Sequence, residues 1–124
     1  MSYTNPQAES DMSGVTDRMK DAFRVVEQFR PTVTSVSHGG HVKDSAHYAH
    51  RAIDVGAFGG TSVGFNVPTW QALMTAIASR RFEKIGTFGQ LANNPTAQAF
   101  AQQNGVELFT DEGSGAHLHL QVGA

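Results

Sequence analysis

Apolar residues recur along this chain with two different spacings, and the spacing changes where the elements change. Between about Met12 and Arg30, Val15, Met19, Phe23 and Val26 follow at steps of four, four and three, with Ala22 and Phe29 on the same side. Asp17, Arg18, Lys20, Asp21, Arg24 and Glu27 cover the other side. That is the period of an amphipathic helix. Ser13 is a candidate N-cap and Pro31 a stop. Thr32 to Val36 is rich in β-branched residues and predicts a strand. A second strand is expected over His50 to Val55, then a glycine-rich loop from Gly56 to Gly64. Pro68 suits the first turn of a helix, and Trp70, Leu73, Met74 and Ile77 supply its stripe to about Arg80. Lys84 to Phe88 predicts a strand. Asn94-Pro95 opens a short helix with Ala97, Phe100 and Ala101 as its apolar side, and Asn104-Gly105 closes it. Val106 to Thr110 and His117 to Val122 complete the strands. The expected fold is α+β: a small, mostly antiparallel sheet with helices packed on one face. Residues 1–12 are polar, contain Pro6 and read as a flexible leader. Residues 13–124 read as a single domain, with no internal repeat.

The chemistry concentrates where strand alternation sorts side chains onto two faces. In the last strand His117, His119 and Gln121 share one face, while Leu118, Leu120 and Val122 share the other. By the same rule His50, Ala52 and Asp54 lie together, opposite Ile53 and Val55. The loop from Ser37 to Ala46 holds His38, His41 and Asp44 and leads straight to His47. His47, Asp54, His117 and His119 thus offer three imidazoles and one carboxylate. Two His and one Asp, with a fourth position left to water, is the ligand count of a catalytic zinc site rather than a closed structural one.

Composition narrows the choice. The chain has 124 residues and no cysteine, so disulfides and thiolate metal sites are excluded, and any metal must rely on His and carboxylate. A net charge of −2 with no basic run argues against nucleic-acid binding. No stretch approaches the ~20 apolar residues needed to span a bilayer, so no membrane segment is expected. Met1 to Ser13 has no apolar core, so no secretory signal peptide is expected either.

Ser45, His47 and Asp54 keep the order Ser, one residue, His, six residues, Asp, with Ala52 between, and His117 and His119 supply a later His-x-His. In these motifs the chain resembles the zinc peptidase superfamily that joins D-alanyl-D-alanine carboxypeptidases, lysostaphin-type endopeptidases and the hedgehog signalling domain. The wording around the two motifs is most similar to the hedgehog version of that fold. The resemblance implies one Zn2+ ion on His47, Asp54 and His119. It implies His117 beside the metal as general base or transition-state donor. Glu112, seven residues before His119, is the nearest candidate for the carboxylate that takes the base role in related enzymes. Ser45, His41 and His50 would line the substrate cleft. The chain departs from the carboxypeptidase pattern in carrying His50 where a glycine is usual. It also has no clear counterpart, between Ser37 and Asp44, of an arginine common in those relatives. Arg51 points away from the ligand face and reads as a surface charge; Trp70 reads as core.

Two functions follow from the resemblance. One is a zinc metallopeptidase hydrolysing an amide bond in peptidoglycan peptides, in a setting that suits a phage-encoded or virion-carried lytic enzyme. The other is a non-catalytic zinc-holding module, hedgehog-like or a phage tail component, with virion or tail proteins as its partners. Neutral imidazole is needed at His47 and His119, so metal binding should fail well below pH ~6.5.

Overall fold

The computed structural model describes residues 2–4, 6–36, 51–113 and 115–123. Its elements run β1 (Ser2–Tyr3), α1 (Pro6–Met12), α2 (Asp17–Glu27), β2 (Pro31–Ser35), β3 (Ala52–Phe58), β4 (Thr61–Ser62), α3 (Val67–Ser79), β5 (Lys84–Thr87), α4 (Gly89–Ala92), α5 (Pro95–Gln103), β6 (Glu107–Thr110) and β7 (Leu118–Gln121). The fold is α+β, with a seven-stranded mixed sheet in the order β1-β2-β3-β7-β5-β6 and β4 on β3.

Local chemistry explains the helix ends. Thr16, extended, accepts the Met19 N–H and starts α2. Ser13 instead belongs to the turn that closes α1, where its hydroxyl donates to the Ser10 carbonyl. The expected helix from Met12 to Arg30 is therefore the shorter α2 alone, because Ser13 and Gly14 lie in the turn after α1, which ends at Met12. Asn66 caps α3 through Thr69 N–H, and Asn94 caps α5 through Ala97 N–H. In both, proline occupies the first turn, where its missing N–H costs nothing. Arg80 ends α3 in the left-handed conformation at φ 58°.

Two stretches differ from the sequence reading. Within residues 1–12, expected as a flexible leader, Ser2–Tyr3 form β1, which pairs in parallel with β2, and Pro6–Met12 form α1, which buries Ala8 completely. Two apolar side chains, Ala8 and Met12, in an otherwise polar helix are too weak a pattern to announce themselves. The expected Gly56–Gly64 loop is largely a hairpin. Gly59 and Gly60 both have positive φ, as a two-residue turn with right-handed strand twist requires, and Phe58 pairs with Thr61 across it.

The core lies on one face of the sheet. Met19, Ala22, Phe23 and Val26 of α2, Leu73 and Ile77 of α3, and Ala97 and Ala101 of α5 pack into one cluster with Val33, Ile53, Val55, Ile85, Leu118 and Leu120. Antiparallel pairs join β2 to β3, β3 to β7 and β5 to β7, while β5 and β6 run parallel across the α4–α5 crossover. This places β7 centrally, between β3 and β5, with every residue from Leu118 to Leu120 buried. Among the described residues no helix is long and apolar enough to cross a membrane.

Candidate metal centre

The sheet register builds the site. His119 on β7 stands opposite Asp54 on β3 and, on its other side, opposite Gly86 on β5. Gly86 in turn stands opposite Phe109 on β6. One row across four strands therefore reads Asp54, His119, Gly86, Phe109, all on the face away from the core. A Cβ at Gly86 would lie 2.6 Å from the Phe109 ring and 3.1 Å from the Asp111 Cβ. Only hydrogen fits there. The space admits the Phe109 ring, which meets the His119 imidazole edge-on with centroids 5.6 Å apart and planes at 70°.

The two histidines share a face, as alternation requires, and converge on two carboxylates. His119 Nδ1 is 3.1 Å from Asp54 Oδ1 and 3.9 Å from Asp111 Oδ2. His117 Nε2 is 3.2 Å from Asp111 Oδ2 and 3.9 Å from Asp54 Oδ1. Asp54, His117 and His119 are each more than nine-tenths buried. Charge at that depth persists only when paired.

Each ring has its second nitrogen held. His117 Nδ1 is 2.9 Å from the Gly115 carbonyl, so Nδ1 carries the proton and donates. His117 Nε2 is left buried with no hydrogen bond, since Asp111, though near, is not aligned as an acceptor. His119 Nε2 faces Gln121 Oε1 at 2.9 Å, which leaves Nδ1 facing the carboxylates. Burial pushes both imidazoles toward the neutral form, but other contacts outweigh it, and both pKa values rise above 6.5. For His117 these are the charge of Asp54, the Gly115 carbonyl and Asp111. For His119 they are the hydrogen bond and charge of Asp54, then Gln121 and Asp111.

Thr87, at the end of β5, ties the two halves together. Its carbonyl accepts the Asp111 N–H at 2.7 Å, and its buried hydroxyl donates to the His117 carbonyl at 2.9 Å. One residue thereby sets the exit of β6 and the entry to β7.

The donor set is chemically suited to zinc: two imidazoles and two carboxylates, no thiolate. A tetrahedral ion with ligands at about 2.0–2.2 Å holds neighbouring donors about 3.3–3.6 Å apart. The four contacts above, 3.1, 3.2, 3.9 and 3.9 Å, bracket that spacing. Among the described residues no group of three or more such side chains stands ready-arranged to hold an ion. The shortest contact is a hydrogen bond between two of the donors, His119 Nδ1 and Asp54 Oδ1. The orphaned Nε2 of His117, buried and aimed at two carboxylates, fits a site that takes a cation.

Of the residues singled out in the sequence, Asp54, His117 and His119 come together. Glu112 goes elsewhere: its Oε1 accepts the Gly89 N–H at 2.9 Å, at the start of α4. The carboxylate beside His117 belongs to its neighbour Asp111, which the residue count alone did not single out as a base. His38, His41, Ser45, His47 and His50 lie outside the described residues. Compared with known proteins, the chain matches no family model, no curated protein and no solved structure.

Proposed function

We propose that this chain is a zinc metallopeptidase that hydrolyses an amide bond in peptidoglycan peptides. The observation that carries the reading is the buried convergence of Asp54, His117 and His119 on the sheet face away from the core, together with their resemblance to the zinc peptidase motifs. Asp54 and His119, fixed by strand register, would hold the ion, with His47 as the third ligand that the resemblance implies. Zinc bound there supplies a Lewis acid, which polarises a carbonyl and acidifies water.

His117 is suited to the proton. Its Nδ1–H is committed to the Gly115 carbonyl, so Nε2 is the atom that gains and loses a proton. Asp54 and Asp111 favour the protonated ring. An imidazole held this way can take a proton, keep it beside a developing negative charge and deliver it to the leaving amine, a role typically worth ~10²–10⁴-fold in rate. Asp111 replaces Glu112 as the carboxylate of this pair. Virion or tail proteins remain the proposed partners.

A second reading is favoured by Asp111 alone. With its oxygen 3.2 Å from His117 and 3.9 Å from His119, it supplies a fourth protein donor. Four protein donors suit a closed, non-catalytic zinc module.

Digestion of purified peptidoglycan separates the two. Zinc-loaded protein, with and without chelator, is incubated with the sacculus and the released fragments are weighed by mass spectrometry. Chelator-sensitive products with new termini at one peptide bond are expected. No products from a protein shown to hold its zinc would overturn the peptidase and leave the module.

A further inference from the structure

His119 is held on both sides, and the outer partner has no place in the motifs. Gln121 sits two residues on, on the same face of β7, with Oε1 2.9 Å from His119 Nε2. Its register is fixed from both neighbours, by Ala52 on β3 and Lys84 on β5. The side that meets the carboxylates is Nδ1. We propose that Gln121 is a positioning residue for the metal: its amide oxygen holds the proton of His119 on Nε2, so that the Nδ1 lone pair is kept for the ion. The inference rests on the metal reading above and adds a residue to it.

The tautomer of His119 decides which nitrogen it can offer an ion. Neutral imidazole carries one proton, on either nitrogen, and only the bare nitrogen can bind a metal. Without an acceptor at Nε2, the proton is drawn to Nδ1 by the Asp54 carboxylate 3.1 Å away. That form presents an N–H to the ion, and the ring must shed or move the proton before binding. An acceptor at Nε2 removes this cost and, with the edge-on Phe109 ring, fixes the ring plane. The same device recurs at the neighbouring histidine, where the Gly115 carbonyl holds Nδ1 and frees Nε2. His117 thus keeps Nε2 for a cation; at His119, whose Nδ1 donates to Asp54 Oδ1 at 3.1 Å in the metal-free chain, the ion would take the place of that proton while Gln121 keeps the other on Nε2. Outer partners of this kind are typically worth ~10–100-fold in metal affinity.

The test compares Gln121→Met, Gln121→Glu and His119→Ala with the wild-type chain. Zinc affinity is read by competition with a chromogenic chelator. The His119 tautomer is read from ring 15N shifts in zinc-free protein at a pH where the ring is neutral. Gln121→Met keeps the length of the side chain and loses the acceptor; Gln121→Glu keeps an acceptor oxygen. The expected result is a ~10–100-fold loss of zinc affinity in Gln121→Met, with the ring proton shifted toward Nδ1, and recovery to within a few-fold in Gln121→Glu. Wild-type affinity and an unchanged ring signal in Gln121→Met would overturn the positioning role. Weaker zinc with an unchanged tautomer would also overturn it, because lost packing alone gives that pattern. If the wild-type chain binds no zinc, or His119→Ala binds it as tightly, the metal reading itself falls, an outcome distinct from the other two.

Discussion

The two faces of β7 are built from the same six-residue run and do opposite things. Leu118, Leu120 and Val122 enter the core with the helices, and each is fully buried. Their contribution is area removed from water, roughly 1.5–3 kcal/mol per side chain. His117 and His119 are buried almost as deeply, yet they meet carboxylates rather than methyl groups. Taking such groups out of water costs several kcal/mol per charge, and their mutual attraction offsets this only in part. One face therefore stabilises the fold, and the other draws on that stability to hold donors in place. A strand between two neighbours can do both because its ladder hydrogen bonds belong to neither face.

This contrast can be broken from either side. His119→Ala should abolish zinc retention, measured as metal per chain after gel filtration, while the fold persists. One equivalent of zinc still bound would remove His119 from the ligand set. Leu120→Ala should do the reverse. It should cost about 2–5 kcal/mol of stability in urea unfolding, from lost transfer and a cavity, and leave zinc stoichiometry intact in the folded fraction. Thr87→Val tests the junction between the faces. It leaves the buried His117 carbonyl without its hydroxyl donor, so a loss of about 1–3 kcal/mol is expected. Zinc affinity should fall with it, since Asp111 and His117 are both set by Thr87; unchanged affinity would count against that coupling.

The smallest effect is in pH. His117 and His119 have folded pKa values above 6.5, so they contribute stability that is full below pH 6.5 and is lost as pH rises through the folded values. Chelator-treated protein should therefore melt at a lower temperature as pH is raised above 6.5. Saturating zinc should blunt or reverse that slope, because the ion replaces protons on nitrogen. A flat melting temperature across this range without metal would count against the paired, protonated histidines.

Periodicity made the helices and strands around the site legible, and alternation alone sorted His117 and His119 from Leu118 and Leu120. Asp54 was legible for the same reason, since its strand alternates with Ile53 and Val55. Asp111 was harder to assign. It lies in a turn, where spacing carries no facing information, and its orientation comes from Thr87, 24 positions earlier. Counting back from His119 favoured Glu112, but a turn has no period, and the Gly89 N–H claims that carboxylate. Gly86 is a similar case. Nothing local marks it as the gap into which the Phe109 ring folds. The short elements β1, β4 and α4 exist through pairing and packing more than through their own sequence, so no window of the chain announces them.

Thr87 carries a consequence for how this protein can change. Its two hydrogen bonds clamp the chain before and after the turn that joins Asp111 to His117. A segment clamped at both ends can be lengthened at small entropic cost, because closure grows only with the logarithm of length. Insertions between Glu112 and Gly115 should therefore be accommodated without moving either donor. The part of the molecule beside its most exacting chemistry is then also the part most open to variation, and new recognition loops can be grafted there while the residues beneath stay in register.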